Sequence, residues 1–258
     1  MHSALDLELL AHGSESSPSL LFLHDLDYLN HTRYPFVESL GETWRVLLPS
    51  HPGFGNSPLP DHFDSIDDLA YFYLDMLEDM GPVHLMGAGF GGWIAAEVAV
   101  RCTHLIRSLV LVDALGVKIG SRTTTDIKDM FVVSPRELLE LCWHDVELGQ
   151  HEMPLPLPDR DEDTLVQLLT GRRTVALMGW NPFLHDPKLL RRLRRIDRPT
   201  LVVWGASDRL VSPAYGRAYA AAIPGAQFTE IAAAGHYPYL EQPTTFVDVV
   251  ESFLSGVV

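Results

Sequence analysis

The chain has 258 residues, 47% of them apolar, and a formal charge of −15. That length suits one sizeable core in a single α/β domain, and the acidic balance argues against nucleic acid and anionic membranes, which attract basic surfaces. No apolar run of about 18 residues predicts a membrane span, residues 1–10 lack the basic-then-apolar pattern of a secretory signal, and the two cysteines, Cys102 and Cys142, read as reduced thiols of a cytoplasmic protein.

Short apolar runs alternate with helical patterns, the signature of a mainly parallel sheet covered on both faces. Residues 5–10 and 19–23 predict a starting hairpin or strand pair, and residues 44–48 another strand. Ser65-Ile66-Asp67-Asp68 has the form of a capping box. Behind it Ile66, Leu69, Phe72, Tyr73, Met76, Leu77 and Met80 recur at helical spacing until Gly81-Pro82 stops the helix. Residues 83–86 predict a strand, residues 93–100 a helix and residues 109–112 the next strand.

From 115 to 187 the alternation breaks. Ser134-Pro135 opens a helix with Ser as cap and Pro in the first turn, the stretch 154–158 is extended, and 163–179 is helical again. This block is expected to be an inserted helical cap, or lid, leaving 1–114 and 188–258 as the core domain. Strands resume at 200–204 and 227–231, with a last helix over 243–254. Arg191, Arg192, Arg194, Arg195 and Arg198 read as a solvated helix face.

Between the strand at 83–86 and the helix that follows lies Gly87-Ala88-Gly89-Phe90-Gly91-Gly92. A strand, a tight glycine turn and a helix form the context of G-x-S-x-G, but the nucleophile position holds Gly89. The same residues satisfy G-x-G-x-x-G, with Asp113 where a ribose-binding acid would stand. That dinucleotide fingerprint belongs to the first strand–helix turn of its domain, however, and several strands precede this one. Further on, Trp204-Gly205-Ala206-Ser207-Asp208 and Gly235-His236 each follow a strand, so apex, acid and histidine occur in the order Gly89, Asp208, His236. In that order Asp208 accepts from His236, fixes its tautomer and supports its positive charge.

With Leu21-Phe22-Leu23-His24, His51-Pro52-Gly53-Phe54-Gly55-Asn56-Ser57 and the run Ala234 to Pro243, these stretches resemble the α/β-hydrolase superfamily over essentially the whole chain. In particular, they look like small helix-capped bacterial members that include esterases and carbon–carbon bond hydrolases. The resemblance implies an α/β-hydrolase fold, a mainly parallel sheet flanked by helices, with an inserted helical cap. It implies His236 and Asp208 as catalytic groups, Gly89 at the nucleophile position with serine absent, and the N–H groups of Leu26 and Phe90 as oxyanion-hole donors. A second departure lies in the loop His24-Asp25-Leu26-Asp27-Tyr28, where such hydrolases carry His-Gly. Negative charge at Asp25 and Asp27 opposes an oxyanion unless both carboxylates point to solvent. Asp25, Tyr28, Trp143 and Trp180, with His144 beside them, are the expected substrate-binding residues. Asp113 is an alternative acid for His236 or a plain turn.

Three readings follow. The first is non-covalent general-base chemistry by His236 and Asp208 on a small, largely apolar carbonyl or enol compound. The second is an ester or C–C bond serine hydrolase inactivated by Ser-to-Gly exchange at position 89. The third is a non-enzymatic ligand-binding protein on the same fold. No metal or organic cofactor is implied, because the scattered histidines show no ligand spacing. The expected partner is a small-molecule substrate, with neither nucleic acid nor membrane, and a homodimer is the expected form of any assembly.

Overall fold

The computed structural model describes residues 7–26, 34–153 and 162–257. Its sheet has seven strands in the order β1-β3-β2-β4-β5-β6-β7. The strands are β1 (Leu9–His12), β2 (Ser19–Leu23), β3 (Arg45–Pro49), β4 (Val83–Ala88), β5 (Ile106–Val112), β6 (Thr200–Gly205) and β7 (Gln227–Ile231). All pairings are parallel except β1 with β3. The expected hairpin between the first two strands is therefore corrected: β1 begins at Leu9 and pairs with β3, which separates it from β2. Residues 5 and 6 lie outside the described residues.

Side chains alternate across the central strands, so both sheet faces are buried. Leu21, Leu23, Leu85, Leu109, Leu111, Val202 and Trp204 enter one core. Leu20, Phe22, Met86, Val110, Val112, Leu201 and Val203 enter the other. The first core is covered by α2 (Ile66–Met80) and α3 (Gly89–Arg101), and the second by α1 (Pro35–Gly41) and α10 (Pro243–Ser255). The N-terminus of α2 carries the predicted capping box, with Ser65 N–H and Oγ–H both donating to Asp68 Oδ2 (3.0 and 2.6 Å).

Between β5 and β6 the chain forms α4 (Pro135–Cys142), α5 (Val146–Glu152) and α6 (Glu162–Gly179). Ser134 caps α4 by accepting from Glu137 N–H at 3.2 Å. The extended stretch expected at 154–158 lies outside the described residues. The arginine cluster occupies α7 (Leu189–Arg192) and the 3-10 turn Leu193–Arg195. Arg192 pairs with Asp186 at 2.7 Å, while Arg195 and Arg198 donate to the carbonyls of Val100 and Thr103. Part of this solvent-facing cluster therefore also ties neighbouring segments together. Among the described residues, no helix is long and apolar enough to cross a membrane. The remaining helices are α8 (Pro213–Ala221) and α9 (Pro238–Glu241).

Candidate active site

Five parallel strands deliver one residue each to a buried cluster at their carboxyl ends, where open α/β sheets bind ligands. Asp25 follows β2, Gly89 follows β4 and opens α3, Asp113 follows β5, Asp208 follows β6 and His236 follows β7. The turn at Gly89 has φ +47°, the left-handed region that favours glycine. Two residues on, a Cβ at Gly91 would overlap the carbonyl oxygens of Leu23 and His24, so glycine there lets α3 approach the loop after β2.

His236 Nδ1 lies 2.7 Å from Asp208 Oδ2, both side chains being fully buried. Asp208 Oδ1 accepts from the N–H groups of Leu210 (2.9 Å) and Val211 (3.1 Å), which aims the second oxygen at the ring. The histidine's own N–H donates to Cys142 O at 2.6 Å. Gly235 N–H donates to Glu241 Oε2 at 2.5 Å, and Glu241 Oε1 accepts from His144 and Asp145 N–H. Glu241 thus pins the histidine loop to the turn between α4 and α5. It stands inside the stretch Ala234 to Pro243, but a glutamate in sequence carries no sign that its partners are backbone amides.

Asp25 points inward and is only 2% exposed, which removes the possibility that its carboxylate faces solvent. Its Oδ1 accepts from Phe90 N–H at 2.7 Å, the neighbouring Leu26 N–H favours its charged form, and Oδ2 lies 3.2 Å from His236 Nε2. That last contact is an ion pair off the line of the N–H bond, so it is Coulombic, and Nε2 has no hydrogen-bond partner among the described residues. Of the two expected oxyanion donors, Phe90 N–H holds the carboxylate of Asp25 directly, and Leu26 N–H acts on its charge.

The main chain under Asp25 is fixed by two histidines. His51 N–H donates to His24 Nε2 (3.1 Å), so the His24 proton is on Nδ1, which donates to Asp25 O at 2.6 Å. His51 Nε2–H donates to His24 O at 2.9 Å, and its Nδ1 accepts from Tyr73 Oη–H at 2.6 Å. These side chains hold loop geometry and are committed to hydrogen bonds.

The charges follow from these contacts. Burial favours neutral imidazole, but the Asp208 carboxylate, with Asp25, outweighs it and holds His236 well above the ordinary histidine range. Burial favours neutral Asp25, but the adjacent His236 and the N–H groups of Phe90 and Leu26 hold it below the ordinary carboxylate value. Asp113 is the opposite case. Its Oδ1 accepts from Gly205 N–H at 2.9 Å and its Oδ2 has no hydrogen-bond partner among the described residues. Burial first and Asp208's charge second push Asp113 well above the carboxylate range, which favours its neutral form. The arrangement thus favours a charged ring on His236 between the carboxyl groups of Asp208 and Asp25, and the neutral form of Asp113 behind them.

Asp113, Asp208 and His236 present ligand-type atoms within 4.8 Å of one another. His236 Nδ1 carries its proton toward Asp208, so binding a cation there would break the hydrogen bond that organises the histidine. The donor set reads as a proton-transfer cluster. The dinucleotide alternative meets a second obstacle, because Asp25 occupies the first free amide of α3 and its charge repels a pyrophosphate.

The other expected substrate-binding residues separate. Trp143 is fully buried against Tyr237, with ring centroids 5.2 Å apart. Trp180 is 56% exposed and packs on Phe131 and Phe183. His144 Nδ1 pairs with Ser207 Oγ at 2.8 Å. Tyr28 and Asp27 lie outside the described residues.

Strand order, a glycine turn opening the helix after β4, and an acid–histidine pair after β6 and β7 define an α/β-hydrolase fold. The sequence profile described as "Alpha/beta hydrolase family" matches residues 9–249, and the chain belongs to that family. It is 25% identical to a pimeloyl-[acyl-carrier protein] methyl ester esterase of Aeromonas salmonicida, over 92% of this chain and 95% of the relative. Two solved structures share the fold. A meta-cleavage product hydrolase superposes with a TM-score of 0.77 at 19% identity, covering 97% of this chain and 94% of the other. A 2-hydroxy-6-oxo-6-phenylhexa-2,4-dienoate hydrolase of Rhodococcus gives 0.77 at 18% identity, covering 98% and 95%.

Proposed function

We propose that this chain is an enzyme that turns over a small, largely apolar carbonyl or enol compound by proton transfer through His236 and Asp208, with no acyl-serine intermediate. The observation that carries the reading is the fully buried pair at 2.7 Å from His236 Nδ1 to Asp208 Oδ2, beside an apex residue that has no side chain. A charged pair buried to this degree is costly to maintain for packing alone.

The resting imidazolium serves as acid to a substrate oxygen, and its conjugate base then takes a proton from carbon or from water. Asp208 supports the positive charge in both directions. The bound compound sits at the strand carboxyl ends, under a lid formed by residues 115–187. Such sites are mostly apolar with few polar anchors, and the ester and dienoate substrates in the names of the relatives have that character. A simple loss of the apex serine accounts for Gly89 but not for an inward Asp25, so the inactivated-hydrolase reading is the weaker one.

The test is solvent deuterium exchange into a panel of enolisable ketones and vinylogous diketones, followed by NMR, with the wild type and His236→Gln. Exchange that requires His236 supports the proposal. Absence of exchange, together with ligand binding unchanged in His236→Gln, overturns it in favour of a binding protein.

A further inference from the structure

The space of a side chain at position 89 is occupied from across the site. A Cβ built on Gly89 would overlap the whole carboxyl group of Asp25, so the carboxylate sits where the side chain of an apex nucleophile would begin. Its Oδ1 is in the grip of Phe90 N–H, with Leu26 N–H favouring its charged form, while Oδ2 faces His236 Nε2.

An oxyanion hole holds the oxygen of the carbonyl that is being attacked. Here the oxygen it holds belongs to the protein. No substrate carbonyl can take those donors while Asp25 is in place, so the carbonyl this hole is set to activate is one derived from Asp25 itself. That requires Asp25 to become an ester. A carboxylate becomes an ester by displacing a leaving group from saturated carbon, a step that develops no oxyanion on the substrate.

We propose that Asp25 is a covalent nucleophile for small apolar compounds carrying a leaving group on saturated carbon, with an alkyl halide as the simplest case. Asp25 Oδ2 forms a bond to carbon as the carbon–halogen bond breaks, and the halide departs with the bonding pair. The product is an ester whose carbonyl oxygen, Oδ1, stays on Phe90 N–H. Esterification removes one of the two negative charges beside His236, and the ring releases its Nε2 proton to solvent. Neutral Nε2, which has no hydrogen-bond partner among the described residues, then takes a proton from water as that water attacks the Asp25 carbonyl carbon. Collapse expels the alkoxide, which takes the proton from Nε2. The resulting Asp25 carboxylic acid passes its proton to His236 and restores the starting ion pair. The balance is alkyl halide plus water to alcohol, halide and a proton. Gly89 is the counterpart of this arrangement, since any larger residue would exclude the carboxylate.

The proposal rests on the proton-handling role given to His236 above and not on the carbonyl substrate class. Its test uses 1-bromohexane with enzyme in molar excess, in water enriched in oxygen-18. A single turnover of the wild-type chain is expected to place the label in the Asp25 carboxylate, read by peptide mass spectrometry, and to give unlabelled hexanol. With 1-bromohexane in excess instead, His236→Gln is expected to release one halide per chain and then stop, with a hexyl ester accumulated on Asp25. Asp25→Ala is expected to fall to the uncatalysed rate. Halide release with the label in hexanol and none in Asp25 overturns the proposal, and so does a wild-type chain that neither releases halide nor carries a hexyl group. Deuterium exchange into ketones in the same preparation separates the cases: if it persists while Asp25 stays unlabelled, the nucleophile fails and the proton-transfer reading stands.

Discussion

Placing a serine at the apex is the obvious perturbation, and the structure predicts that Gly89→Ser alone fails. The new Cβ overlaps the Asp25 carboxyl group, so Asp25 must leave. Leaving breaks its bond with Phe90 N–H and its ion pair with His236. A hydrogen bond to a charged group contributes about 2–3 kcal/mol, and a non-glycine residue at φ +47° costs about 1–2 kcal/mol more. The expected loss is about 3–5 kcal/mol, which for a domain of this size lowers Tm by about 6–20 °C. Thermal denaturation reads that shift, and hydrolysis of p-nitrophenyl butyrate reads function. Asp25→Gly combined with Gly89→Ser removes the overlap and frees Phe90 and Leu26 for a substrate oxyanion. The double variant is therefore expected to be more stable than the sum of the two single changes and to be the one that hydrolyses the ester. If Gly89→Ser alone is as stable as the parent and cleaves the ester, Asp25 does not occupy the apex in solution and the argument fails.

Four further outcomes follow from the charges. His236, raised above its unfolded value, contributes stability that is complete below the unfolded histidine pKa and is lost as pH rises through the folded one. Its ring resonances should stay those of an imidazolium above pH 7, and titration of His236 near 6.5 refutes the assignment. Asp113, also raised, is a carboxyl group, so it costs stability as pH climbs above its unfolded value of 3.8. Asp113→Asn should flatten that slope in urea denaturation while keeping the acceptor for Gly205 N–H, and should change stability by less than about 1 kcal/mol at pH 4. Asp208→Asn at pH 7 should cost about 3–5 kcal/mol by breaking a buried pair. Burial first and Arg107 second depress His84 to about 4, so stability should rise with pH between about 4 and 6.5, the unfolded chain binding the proton there. A His84→Gln chain with an undiminished slope over that interval would show that another group is responsible.

Much of the architecture is legible in local sequence because each signal has a local cause. The Asp68 bonds to Ser65, the stop at Gly81-Pro82 and the strand Gln227–Ile231 are decided within a few residues and occur where the pattern puts them. The partner of the first strand is not local. Proximity in sequence suggests a hairpin, whereas β1 closes the sheet edge against β3, and only the tertiary arrangement decides that. Glu241 is hidden for the same reason, and of Asp113, legible as an alternative acid or a plain turn, the burial is hidden too. One bonds amides on two other loops, and the other is buried at φ +43° beside an acid that lies 95 positions along the chain.

Asp25 and Gly89 show why single-position reading stops short at the site. Taken separately, one is a missing nucleophile and the other a charge hostile to an oxyanion, and both suggest a lost function. In space they are one feature, because the volume that a side chain at position 89 would need is the volume that the Asp25 carboxylate fills. A chain drifting free of function would have no reason to keep that carboxylate on the Phe90 amide and against His236, where desolvation alone opposes it. Burying an ionised acid is tolerated here because the amides and the imidazolium compensate it, and those are the groups that manage charge during catalysis in a hydrolase of this fold. The pairing therefore argues for a rearranged reaction centre over a disabled one, and the Asp25→Gly and Gly89→Ser cycle measures that pairing directly.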